Sequence, residues 1–127
     1  GVPMAIVTSS NKLKMSVALG HCPELETVVG HIFTSESFTR SKPDPECFLL
    51  AMRELGGTQD DTVIFEDSIN GLKAADASGA AVIGLTTSNP EAVIAGMSDM
   101  CIADFTEMTV AAAEGVLSQR RKRHQVK

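Results

Sequence analysis

Three short polar segments hold the residue types in this sequence that could do chemistry. Glu66-Asp67-Ser68 sets two carboxylates side by side directly after an apolar run at 63–65. Adjacent carboxylates at the end of a buried segment repel each other and lose solvation. A hard cation relieves both problems, and oxygen ligands suit Mg2+. The plainer alternative is that Asp67 and Ser68 cap the helix that follows. Ser41-Lys42-Pro43-Asp44-Pro45 places a lysine on a segment stiffened by two prolines, and Pro43 biases Lys42 toward extended backbone. A cation fixed in this way suits neutralisation of a phosphate, although a solvated surface lysine fits the same text. Thr8-Ser9-Ser10-Asn11 follows the apolar run at 4–7. Its hydroxyls and the free N–H groups of a following helix can hold an anion, or the serines can serve only as caps. A hydroxyl, a lysine and a carboxylate pair are together what phosphoryl transfer needs: neutralised phosphate oxygens and a bridging Mg2+.

These segments need elements to position them. Four apolar runs, at 4–7, 63–65, 80–85 and 100–103, are short and continuous rather than alternating, with a weaker one at 31–34. Such runs suit strands buried on both faces of a parallel sheet. Helical text lies between them. Residues 11–19 follow Ser9 and Ser10 as candidate caps. Residues 45–55 have Asp44 to cap, Pro45 for the first turn and Gly56 to close. Residues 69–78 end at Gly79, and residues 91–95 and 108–117 follow. Alternating strands and helices predict an α/β fold, a three-layer Rossmann-like parallel sheet with helices on both faces. Ligands of such sheets bind beyond the carboxyl ends of the strands, where all three segments fall.

The bulk numbers agree with one domain. The chain has 127 residues, 43% apolar and 21% charged, with five Phe and neither Trp nor Tyr, so its core must be aliphatic. Residues 1–118 are expected to form the core domain and 119–127 a basic, solvated tail. That tail holds Arg120, Arg121, Lys122, Arg123 and Lys127, leaving six basic against 16 acidic residues in the body. An acidic body argues against a nucleic-acid groove. No run approaches the ~18 apolar residues of a membrane helix. Cys22, Cys47 and Cys101 have no metal-type spacing, and the odd count points to free thiols in a reducing, cytoplasmic setting. His21, His31 and His124 lack partners at ligand spacing and are read as structural or solvated, and Met97, Met100 and Met108 as filler.

The text Ile6-Val7-Thr8-Ser9-Ser10, then Ser41-Lys42-Pro43-Asp44-Pro45, then Ile64-Phe65-Glu66-Asp67-Ser68 with Gly71, Ala74-Ala75 and Gly79, resembles the haloacid dehalogenase superfamily. Within it, the likeness is to the branch of β-phosphoglucomutase-like phosphatases and mutases. It covers about residues 1 to 106. The resemblance implies that Thr8, with the Ser9 backbone, binds the transferring phosphoryl group. It implies that Lys42 stabilises its charge and that Asp67, with Glu66 beside it, holds Mg2+. It also implies a small phosphorylated metabolite, such as a sugar phosphate, as substrate.

One departure is large. The family's first motif, a strand ending in Asp-x-Asp that supplies the nucleophile, has no counterpart among the 127 residues. In the family that strand lies centrally, between those ending here at Thr8 and Asp67. The chain is therefore expected to be a fragment lacking the nucleophile and the cap domain, inactive alone, with a gap in its sheet. Either another segment or chain completes the sheet, or the two halves close on each other and distort the site. Phosphatase, phosphomutase and a non-catalytic binder of phosphate or metal stay open. A receiver-type signalling domain would place its acidic pair at the first strand and its lysine late, the reverse of the order here.

Overall fold

The computed structural model describes the backbone of residues 2–126 and the side chains of residues 2–120. The readings of Arg121, Lys122, Arg123, His124 and Lys127 lie outside the described side chains. Among the described residues, five strands, β1 (Met4–Val7), β2 (Gly30–Phe33), β3 (Val63–Glu66), β4 (Ala81–Leu85) and β5 (Met100–Ile102), alternate with helices. The helices are α1 (Lys12–His21), α2 (Glu24–Val29), α3 (Glu46–Leu55), α4 (Ile69–Ser78), α5 (Glu91–Ile94) and α6 (Val110–Val126), and a 3-10 turn follows α5. All pairings are parallel, as expected of this element order.

The β3-β4-β5 sheet is the centre of the core. β4 is buried along its whole length because both faces are covered. Ile64 and Val82 face Cys47, Phe48 and Met52 of α3 and Leu72, Ala74 and Ala75 of α4. Ala81 and Ile83 point the other way, with Val63 and Phe65, onto Val116 and Leu117 of α6. This alternation is the pleat of a strand sandwiched between two helical layers. Burying a Val- or Leu-sized side chain contributes roughly 1.5–3 kcal/mol, so this sandwich is the main stabilising term.

The sheet is divided as the sequence led us to expect. β1 pairs with β2 and β3 pairs with β4, and among the described residues no ladder joins β1 to β3. The β1–β2 half is less covered: α1 and α2 contain no buried residue, and Leu13, Val17 and Val28 are exposed.

Several local expectations need correcting. Ser9 and Ser10 do not cap α1; Asn11 does, its Oδ1 accepting from Lys14 N at 2.8 Å. Asp44 does satisfy a free N–H at the start of α3, accepting from Glu46 N at 2.9 Å across Pro45, which has no capping side chain. Helix α2 was not anticipated. Arg120, assigned to a solvated tail, is a buried residue of α6. It donates from Nε to the Gly79 carbonyl and from Nη1 to Asp60 at 3.1 Å, tying α6 to the turn after α4.

Candidate functional site

The carboxyl ends of β1, β3 and β4 surround an open cleft of about 590 Å3, lined by Ser9, Lys42, Ser68, Ile69, Asn70, Ser88 and Asn89. Six of these seven carry a hydroxyl, an amide or an ammonium, so the cleft suits a polar, anionic ligand.

Lys42 is its fixed cation. The loop before α3 directs the side chain inward, where it is 9% exposed. Nζ donates to the Val7 carbonyl at 3.2 Å and to Glu66 Oε2 at 2.9 Å. It also lies 5.0 Å from the Phe48 ring centre, a cation–π distance. A solvated surface lysine would have none of these partners. Lys42 thus spans the end of β1 and the end of β3, the two strands that do not pair.

Glu66 closes β3 and is itself only 12% exposed. While Oε2 takes the lysine, Oε1 accepts from Asp67 N at 3.1 Å and lies 3.4 Å from Ser68 Oγ. Gly71 in the first turn of α4 makes room for it. A Cβ at that position would stand 2.1 Å from Glu66 Cδ and 2.4 Å from Cγ. The glycine is thus a matter of close approach, not of backbone conformation. Ser68 does cap α4, its Oγ accepting from Gly71 N at 3.0 Å.

Asp67 turns away from this pair toward the loop after β4. Its Oδ2 accepts from Ser88 Oγ at 2.6 Å and Thr87 Oγ1 at 3.3 Å, and its backbone carbonyl accepts from Asn89 Nδ2 at 3.3 Å. The Ser88 hydroxyl above all, with smaller help from Thr87, holds the Asp67 carboxyl below the usual carboxylate range against the opposing effect of partial burial. An ionised carboxylate is a hard oxygen donor. Among the described residues, no group of three or more His, Cys, Asp or Glu gathers to hold a metal. The pair fits part of an Mg2+ donor set, Asp67 better than Glu66, whose oxygens are already engaged.

Thr8 sits one residue beyond Val7, with its N–H on Phe33 O at 3.0 Å and its Oγ1 accepting from Ser10 N at 3.1 Å. It shapes the turn that presents Ser9 to the cleft. Sequence reasoning thus named Ser9, Lys42 and Ser68, which meet in one cleft, and Glu66 and Asp67, which bond to its walls. It missed Thr87, Ser88 and Asn89. Their only sequence signal is a polar run, Thr86-Thr87-Ser88-Asn89-Pro90, after the most buried strand.

A sequence profile of haloacid dehalogenase-like hydrolases matches residues 1–85. Validoxylamine A 7'-phosphate phosphatase of Streptomyces hygroscopicus subsp. limoneus is 31% identical over 107 residues, covering 84% of this chain and 49% of that protein. β-Phosphoglucomutase of Mycobacterium bovis is 29% identical over 114 residues, covering 85% and 44%. In fold, the crystal structure of a HAD hydrolase, family IA, variant 3, from Entamoeba histolytica superposes with a TM-score of 0.80 at 24% identity, over 92% of this chain and 54% of the other. The chain spans about half the length of these relatives.

Proposed function

The chain belongs to the haloacid dehalogenase-like hydrolase family, and on that premise we propose that the whole protein is an Mg2+-dependent phosphatase of a small phosphorylated metabolite. The observation that carries the reading is Lys42: a nearly buried ammonium, held by Val7 and Glu66 at the mouth of a polar cleft. Its charge lies where phosphate oxygens would enter, and the Glu66 contact keeps it there before any substrate arrives. Ser9 offers a hydroxyl and a backbone N–H from the facing strand end, on a turn shaped by Thr8. Asp67 would hold Mg2+, with Glu66 taking part directly or through water. The metal's contribution when bound is to offset charge on the transferring phosphoryl group. Glu66 serves first to orient Lys42. No Asp-x-Asp occurs in the 127 residues, so the nucleophile is assigned to another segment, which would also fill the gap between β1 and β3. The three free cysteines support a reducing, cytoplasmic setting.

Phosphomutase is the second reading, supported by the 29% identity to β-phosphoglucomutase across 85% of this chain. One experiment addresses both: a panel of phosphomonoesters incubated with the full-length protein, with Mg2+ or with EDTA. Phosphate release that needs Mg2+, and falls about 10²–10³-fold in a folded Lys42→Ala variant, is expected. Conversion of one sugar phosphate into its isomer without phosphate release would select the mutase. Turnover indifferent to both EDTA and Lys42 would contradict the proposal.

A further inference from the structure

The loop after β4 lies beyond residue 85, where the match to the family profile ends. Parallel pairing sets Glu66 opposite Gly84, so the segments leaving β3 and β4 run side by side. Asp67 lies on the first and residues 86–90 form the second. The loop is anchored at both ends: Thr86 N donates to Ile102 O at 3.0 Å, and Val93 N donates to Pro90 O at 2.9 Å, opening α5. From this fixed base Thr87 and Ser88 both direct hydroxyls to the same Asp67 oxygen, at 3.3 and 2.6 Å. Asn89 clasps the backbone carbonyl of the same residue at 3.3 Å.

We propose that Ser88, with Thr87 beside it, is a positioning residue that fixes the Asp67 carboxylate for cation binding. The inference rests on the reading of Asp67 as an Mg2+ ligand. A partly exposed aspartate would otherwise turn freely about its last torsion, and ordering it would oppose metal binding. Both hydroxyls bond Oδ2, which sets the plane of the carboxylate before the cation arrives. Ser88 and Asn89 line the same cleft as Lys42 and Ser9, so the loop that orients the carboxylate is also a wall of the ligand space. A loop clasp serving only stability would have the same hydrogen bonds, and metal binding tells the two apart.

The test is Mn2+ binding to the full-length protein, read from the free-ion paramagnetic resonance signal, in the wild type and in Ser88→Ala, Ser88→Thr and Asp67→Asn. Loss of an outer partner of a metal ligand typically weakens binding about 10-fold to 100-fold. Ser88→Ala is therefore expected to loosen Mn2+ about tenfold, toward the lower end because Ser88 is exposed. Ser88→Thr, which keeps the hydroxyl, should recover most of that loss. The midpoint of thermal unfolding should barely move in either. If Ser88→Ala binds Mn2+ as tightly as the wild type while Asp67→Asn does not, the clasp is structural and the inference is overturned. If Asp67→Asn binds like the wild type, the reading of Asp67 as a ligand falls, and the inference with it.

Discussion

Replacing Gly71 by alanine should destabilise this protein, although alanine is the better helix former. Gly71 lies in the first turn of α4, where Gly→Ala ordinarily contributes up to about 1 kcal/mol of helix stability. Here the new Cβ would fall 2.1 Å from Glu66 Cδ and 2.5 Å from Oε2. Glu66 is flexible enough to swing aside, so the penalty is the contact it abandons rather than the clash itself. That contact is the 2.9 Å ion pair with Lys42, whose members are only 9% and 12% exposed. Removing one member of a buried pair costs about 3–5 kcal/mol, and because displaced Glu66 regains water the lower end applies. A net loss of about 2 kcal/mol follows after the helix gain. Urea unfolding of four proteins measures it: wild type, Gly71→Ala, Glu66→Ala and the double variant. With Glu66 shortened there is nothing to displace, so Gly71→Ala should become neutral or stabilising in that background. Equal effects of Gly71→Ala with and without Glu66 would refute the reasoning.

Three other outcomes follow from polar side chains of the body. Arg120→Met keeps the apolar stem but leaves the Gly79 carbonyl without its donor, an expected loss of about 1–3 kcal/mol in denaturant unfolding. Asp60→Asn, on the exposed side of the same ion pair, should cost less than about 1 kcal/mol. Burial pushes the Cys47 thiol up, against an opposing pull from Lys42. Its neutral form therefore stabilises the fold fully below the unfolded-state value near about 8.5, and that contribution is lost as pH rises through the folded value. The stability advantage of wild type over Cys47→Ala should accordingly shrink above roughly pH 8.5, seen as converging thermal midpoints.

Helix α4 was legible in the sequence at both ends because its boundaries are chemical: a serine that caps and a glycine at φ 87° that closes. The five strands were legible for a related reason, since continuous apolar runs have few other uses in a chain this polar. Helix α2 was not. It has six residues, none of them buried, and Pro23 at its start offers no capping side chain, so neither period nor punctuation marks it. Ser9 and Ser10 were misread as caps because three polar residues in a row can each play that part, and only geometry gave it to Asn11. Arg120 was misjudged because a charged residue in a basic run is ordinarily solvated, and its partners, Asp60 and Gly79, lie far away in sequence. Lys42 and Asp67 could be named because proline stiffening and adjacent acids are unusual locally. Ser88 could not, because its partner lies 21 positions away and meets it only through the pairing of β3 with β4.

The central claim is that this chain holds the phosphate while another segment supplies the nucleophile. Single-turnover trapping of a phosphoenzyme, followed by peptide mapping, tests it most directly. The full-length protein, mixed with a labelled phosphomonoester and Mg2+ and quenched in acid, should carry near-stoichiometric label as a hydroxylamine-sensitive acyl-phosphate. The labelled peptide should lie outside the 127 residues described here, and the label should fall sharply in Lys42→Ala. A labelled aspartate within these residues, such as Asp67 or Asp104, would contradict the account, as would turnover with no acyl-phosphate at all.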